Sequence, residues 1–243
     1  MPQVERRDVE YTHEGIRMLG VFCSSAGGAP DKRPGVFVVH GAHGLGTHTL
    51  SCAERIAALG YAVLAVDLWG DRRLLTDPSE IGPTLCRFVD DRAMWMGRLN
   101  AAHAALAAQP EVDAGRIGAV GYCFGGTSVL EFIRTGHRLA GAVSFHGGLD
   151  MVADDWSAAK AGGKALILSG ADDPMAKPGD LARLQPVMTE AGIDWEVDLY
   201  SHTKHAFTEP DRPNAPPFTA YNERADRRSW QATRGFFEDV FAD

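Results

Sequence analysis

Residues 116–128, reading Arg-Ile-Gly-Ala-Val-Gly-Tyr-Cys-Phe-Gly-Gly-Thr-Ser, constrain the fold more than any other stretch of the chain. A short apolar, β-rich run ends in Gly-Tyr-Cys-Phe-Gly-Gly, and a segment of helical periodicity begins at about Thr127. The pattern predicts a strand, a sharp turn and a helix in direct succession. In a nucleophile elbow the apex residue sits in strained backbone, and the positions two before and two after it pass too close for side chains. Gly121 and Gly125 meet that requirement around Cys123. The turn would also place the Cys123 sulfur at the N-terminus of the helix, where N–H groups and the helix dipole favour a thiolate. A small buried cysteine in a glycine-rich turn is the plainer alternative, so partners elsewhere in the chain must decide.

The remaining pattern fits one domain over residues 1–243, long enough to bury a sizeable core. A net charge of −8 without a basic cluster argues against a nucleic-acid partner. The charged N-terminus lacks the apolar core of a signal peptide, and no apolar run reaches membrane-spanning length. Cys23, Cys52, Cys86 and Cys123 are scattered without a Cys-x-x-Cys pair, which fits a reducing cytoplasm better than a disulfide framework.

Alternation over residues 7–24, broken at His13-Glu14-Gly15, predicts an antiparallel hairpin at a sheet edge. A polar loop over residues 25–34 leads into a buried strand at 35–40. A helix over 47–59, stopped by Gly60, and a second buried strand at 61–68 follow. Residues 71–90, punctuated by Asp77-Pro78 and Gly82-Pro83, read as a loop or short-helix excursion, and 91–109 as a helix ended by Pro110. After the elbow, strands are expected at 139–145, 164–168 and 193–200, and helices at 181–190 and 221–241, with a proline-rich loop at 210–217. Trp230, Phe236, Phe237 and Phe241 give the last helix an apolar face. Strands alternating with helices predict an α/β fold, a mostly parallel sheet of about eight strands with helices on both faces.

In such sheets reactive groups collect at the carboxyl ends of strands. Cys123 is one. Asp172 and Asp173 follow the 164–168 strand, and His202 and His205 follow the 193–200 strand. Nucleophile, acid and histidine thus occur in α/β-hydrolase order, each just past a strand. The histidine can take the thiol proton and return it to a leaving alkoxide, while the aspartate fixes its tautomer. The oxyanion formed by attack on an acyl carbon needs two N–H donors, assigned to the backbone of Phe124 and of Ala42. His40-x-x-His43 and His202-x-x-His205 have ligand-like spacing, but without matching carboxylates or cysteines they make a weak zinc signal. No metal or organic cofactor is expected.

The chain resembles the dienelactone hydrolase family, the cysteine branch of the α/β-hydrolases. The resemblance rests on Gly-Tyr-Cys-Phe-Gly-Gly at 121–126, Ser-Phe-His-Gly-Gly-Leu at 144–149 and Gly-Ala-Asp-Asp-Pro at 170–174. It continues through His-Ala-Phe-Thr-Glu-Pro at 205–210, Ala-Tyr-Asn at 220–222 and Ala-Asp-Arg-Arg-Ser-Trp at 225–230. It implies a triad of Cys123, Asp173 and His205, selecting Asp173 over Asp172 and His205 over His202. Two positions depart from family members that cleave dienelactone. Gly41 stands where they carry a glutamate engaging the resting thiol, and Glu209 where an arginine holds the substrate carboxylate. Arg92 or Arg98 is a candidate replacement for that clamp, although helix-surface arginines are more often solvated or ion-paired.

The resulting expectation is a cytoplasmic cysteine hydrolase of small carboxylic esters or lactones, monomeric or homodimeric. Pocket walls are assigned to His43, Leu45, Tyr122, Phe145, His146 and Phe207. The rivals are promiscuous hydrolysis of activated phosphoesters, a thiol redox role, and a non-catalytic binding protein on the same scaffold.

Overall fold

The structure, a computed structural model, describes residues 3–25, 32–213 and 215–242. Part of the loop expected at 25–34, residues 26–31, lies outside the described residues, as does residue 214 of the proline-rich segment. Among the described residues there are eight strands, in a mostly parallel sheet, and six α-helices. The chain divides into two compact units, with the boundary between Ala119 and Val120.

The first unit opens with β1 (Val4–His13) and β2 (Ile16–Ser25), paired antiparallel from Val4↔Ser25 to His13↔Ile16. Glu14 and Gly15 connect them with φ of 49° and 76°, the doubly left-handed backbone of a two-residue turn that matches strand twist. β2 pairs antiparallel with β4 (Ala62–Val66), and β4 pairs parallel with β3 (Arg33–Val39), giving the order β1-β2-β4-β3. All five β4 residues are buried, as a strand covered on both faces requires. α1 (Thr47–Ala57) packs against β2, β3 and β4, and α3 (Arg92–Ala107) against β1, β3 and β4. Asp91 caps α3 by accepting the Met94 N–H at 2.9 Å.

Residues 78–90 form a full helix, α2 (Pro78–Asp90), where the sequence predicts a loop or a short helix. Its start is built from the residues that looked like loop punctuation: Asp77 caps the Ser79 N–H, and Pro78 stands in the first turn, where no N–H is needed. Only Phe88 is buried; Ile81, Leu85 and Phe88 do recur at helical spacing, but Gly82-Pro83 inside the run reads as a breaker and masks the helix.

β5 (Val112–Tyr122) runs from the first unit into the second, which continues in the order β5-β6-β7-β8. β6 (Ala142–Phe145), β7 (Lys164–Gly170) and β8 (Asp194–Tyr200) are parallel, with Leu166 opposite Val143 and Glu196. α4 (Phe124–Arg134) follows β5 after one residue, three positions earlier than the periodicity predicts. Every residue of α4 is buried, so it is an interior helix. Its one carboxylate, Glu131, is matched by Arg134 at 2.7 Å and by the Ala153 N–H at 2.9 Å. α5 (Pro178–Glu190) packs on β8, and α6 (Glu223–Val240) on β7. On α6, Phe237 is buried, and it stacks on Phe241 at 5.3 Å.

Candidate active site

Cys123 is the single residue between β5 and α4, and its φ of 55° and ψ of −119° are strained for any residue with a side chain. The turn closes because Gly121 has no Cβ: one there would lie 1.9 Å from the Gly125 carbonyl oxygen and 2.6 Å from the Gly126 nitrogen. Gly126 is also confined, since a Cβ would meet the Ser144 Oγ at 2.6 Å. The Cys123 carbonyl accepts the Gly126 and Thr127 N–H groups at 2.9 and 3.2 Å, starting α4. The Phe124 N–H opens that helix at its positive end.

The acid is set by the turn after β7. Gly170 lets the segment after β8 approach, because a Cβ there would sit 2.2 Å from the Thr203 carbonyl oxygen. Asp172 donates its N–H to that carbonyl at 2.9 Å and leaves its side chain exposed. Asp173 turns inward and is 3% exposed. Its Oδ1 accepts the Met175 N–H at 2.8 Å and its Oδ2 faces His205 Nδ1, also at 2.8 Å. The loop after β8 then separates the two histidines in the same way. His202 is exposed, whereas His205 is 2% exposed, its backbone bridged to Thr219.

His205 Nε2 lies 3.1 Å from Cys123 Sγ. Burial alone would hold the His205 ring below its ordinary pKa, but the neighbouring Cys123 sulfur and the Asp173 carboxylate outweigh it and raise the pKa to about 10. The three side chains therefore form one hydrogen-bonded line, with the imidazole able to carry a proton between sulfur and substrate.

The residues assigned to pocket walls fall into two groups. His43 and Leu45 lie in the first unit on the segment between β3 and α1, together with Ala42, the expected oxyanion donor, and the half-buried His43 directs Nδ1 at the Leu75 carbonyl at 3.0 Å. In the second unit, Tyr122 stacks on Phe145 at 4.7 Å, and Phe207 stands edge-on to His146 at 5.1 Å. Tyr122, Phe145, His146 and Phe207 are all 2% exposed or less.

Arg98 is buried and donates to the Leu68 and Trp69 carbonyls at 2.6 and 3.3 Å, so its charge supports the turn after β4. Arg92 lies over the Trp95 ring. Glu209 pairs with Arg212 at 3.6 Å. His40 Nε2 accepts the Leu68 N–H at 3.1 Å. Among the described residues no group of three or more His, Cys, Asp or Glu side chains could hold a metal ion. Sequence reasoning missed Thr208, whose Oγ1 lies 2.8 Å from His146 Nε2. Its place in the His-Ala-Phe-Thr-Glu-Pro stretch was the available signal.

A mostly parallel sheet, a strained turn between β5 and α4, and acid and histidine loops after β7 and β8 make this an α/β-hydrolase by fold. The family profile for dienelactone hydrolases matches residues 21–241, and the chain belongs to the dienelactone hydrolase family. Its members place it among the hydrolases of esters and lactones. The chain is 34% identical to a solved structure named m3DLH, covering 98% of this chain and 99% of that one with a TM-score of 0.89. A dienelactone hydrolase-like promiscuous phosphotriesterase, P91 from metagenomic libraries, is 35% identical, with 98% of each chain covered and a TM-score of 0.89. A Methylorubrum extorquens protein named as a candidate carboxymethylenebutenolidase is 26% identical over 84% of this chain and 71% of its own length.

Proposed function

We propose that the protein hydrolyses small carboxylic esters or lactones through a thioester on Cys123, with His205 and Asp173 completing the triad. The observation that carries this reading is the continuous line from Sγ to Nε2 at 3.1 Å and from Nδ1 to Oδ2 at 2.8 Å. The Cys123 thiol gives its proton to His205 Nε2, the sulfur attacks the acyl carbon, and the carbonyl electrons move to oxygen. One N–H for that oxyanion comes from Phe124, at the start of α4. As the tetrahedral centre collapses, the His205 imidazolium protonates the departing alkoxide, leaving a thioester. His205 then takes a proton from water, the resulting hydroxide attacks the thioester, and the acid and the thiol are released. Asp173 holds the ring with Nδ1–H toward itself throughout.

Glu209 favours a neutral substrate over a lactone bearing a carboxylate, because an anion near it would be repelled. The four cysteines form no disulfide, which supports a reducing, cytoplasmic setting. Replacing Cys123 by Ala tests the assignment: p-nitrophenyl acetate turnover is expected to vanish while the circular dichroism spectrum is kept. Normal turnover by that variant would refute the thioester route.

A second activity is favoured by the likeness to the phosphotriesterase P91. Activated phosphotriesters present a tetrahedral centre whose developing oxyanion the same donor would serve. Paraoxon hydrolysis that is lost together with ester hydrolysis in Cys123→Ala supports it, and paraoxon hydrolysis surviving in that variant counts against it.

A further inference from the structure

Beside the triad lies a second histidine that the proposed chemistry does not use. His146 follows β6, is fully buried and has a left-handed φ of 37°. Its N–H is held by the Leu168 carbonyl at 2.8 Å, which fixes the backbone at the carboxyl ends of β6 and β7. Its Nδ1 lies 3.2 Å from the Cys123 nitrogen and accepts that N–H, which is also directed at the Phe145 carbonyl at 3.0 Å. Its Nε2 lies 2.8 Å from Thr208 Oγ1. An imidazole nitrogen facing a backbone donor must be the unprotonated one. His146 is therefore the neutral tautomer with its proton on Nε2, donated to Thr208. Its ring stands edge-on to the His205 ring, with centroids 5.2 Å apart.

These contacts join the two loops whose separation sets the reaction geometry. One end of the ring grips the amide of the nucleophile, in the turn whose strained backbone needs an external hold. The other end grips Thr208, three residues beyond the catalytic histidine. A positive charge on this ring would oppose the imidazolium that His205 becomes, whereas the neutral tautomer leaves it room to form. Both nitrogens are engaged within the protein, so the ring is not presented to substrate as a pocket wall.

We propose that His146 is a positioning residue that holds Cys123 and His205 in register for proton transfer by clamping the Cys123 amide and Thr208 from opposite ends of one neutral imidazole. The proposal rests on the Cys–His–Asp reading above.

The test uses the full chain and turnover per titrated Cys123 thiol, so that loss of folded protein does not count as loss of rate. His146→Phe keeps a ring but removes both nitrogens. His146→Asn restores an acceptor near the Nδ1 position without reaching Thr208, and Thr208→Val removes the acceptor of the Nε2 proton.

A displacement of the reacting groups by about 1 Å is worth on the order of 10²-fold in rate, so His146→Phe should lower kcat per thiol by about 10–10²-fold with KM little changed. His146→Asn should recover part of that loss, and Thr208→Val should lie between wild type and His146→Phe. Nitrogen-15 spectra should show His146 protonated on Nε2 and not on Nδ1. A brace that serves stability alone would lower the melting temperature and leave kcat per thiol unchanged. Unchanged kcat per thiol in His146→Phe, or His146→Asn no faster than His146→Phe, would overturn the proposal. Should His146→Phe fail to fold, Thr208→Val carries the decision, and wild-type kcat per thiol there would overturn it as well. Cys123→Ala is run alongside: turnover in that variant defeats the triad reading, while its inactivity with an unaffected His146→Phe defeats only this inference.

Discussion

Replacing Asp173 by Asn changes one atom and should nearly silence the enzyme. The reason lies in the two contacts of the carboxylate, Oδ1 with the Met175 N–H and Oδ2 with His205 Nδ1, each at 2.8 Å. An amide has one oxygen to offer. If the oxygen meets Met175, the NH2 group faces Nδ1, and the imidazole must carry its proton on Nε2, pointing at the sulfur. A neutral ring in that state cannot accept the thiol proton. If the amide is flipped, NH2 faces the Met175 N–H, and two buried donors oppose each other at a cost of about 1–3 kcal/mol. That cost leaves roughly one molecule in ten to one in a hundred with the productive tautomer, before the lost charge stabilisation is counted. Together the effects predict a fall in kcat/KM on the order of 10³-fold, about 4 kcal/mol of transition-state stabilisation. Phenyl acetate hydrolysis measures it, with circular dichroism to confirm folding. Asp172→Asn, at an exposed position, is the control and should match wild type. A folded Asp173→Asn enzyme within tenfold of wild type, or a comparable fall in Asp172→Asn, would show that this carboxylate does not hold the ring.

The His205 pKa, raised to about 10, fixes the sign of the alkaline response. The imidazolium that protonates a leaving alkoxide is present below that value and lost as pH rises through it. Alkyl esters should therefore show falling kcat/KM near pH 10, whereas a p-nitrophenyl ester, whose leaving group needs no proton, should show a weaker fall; identical profiles would refute the assigned role. The elbow glycine makes a structural prediction. Gly121→Ala places a Cβ 1.9 Å from a backbone oxygen and should cost more than about 3 kcal/mol in urea denaturation or prevent folding. Gly235→Ala, within α6 with open space around its Cβ, should instead stabilise by about 0.5–1 kcal/mol, and similar behaviour of the two would contradict the packing described for the turn.

Much of the site was legible because backbone crowding leaves a residue signature. Gly121 and Gly170 stand where another main chain passes within reach of a Cβ, and those glycines mark the turn at Cys123 and the loop before Asp173. The strands β4 and β7 were legible as apolar runs because burial covers both of their faces. α2 was not, because Asp77-Pro78 and Gly82-Pro83 read as loop punctuation although Ile81, Leu85 and Phe88 keep helical spacing. The start of α4 was placed late because Gly125 and Gly126 are poor helix formers, and at Gly126 a Cβ would meet the Gly147 backbone at 2.9 Å. The position of His146 could not be read from the chain, since it depends on loops after β6 and β8, about sixty residues apart in sequence, meeting at one ring. The resemblance selects Asp173 over Asp172, and the physical reason is the Asp172 N–H held by the Thr203 carbonyl, which leaves the Asp172 side chain outside and Asp173 turned inward.

The central claim is that an acyl group resides on Cys123 during turnover. Rapid acid quench during hydrolysis of a slowly deacylating ester, followed by intact mass and peptide mapping, tests it most directly. The mass of the acyl group should appear on the peptide containing Cys123 and disappear as product forms. Steady turnover with that peptide unmodified at every time point, or an adduct on another residue that turns over at the reaction rate, would contradict the account.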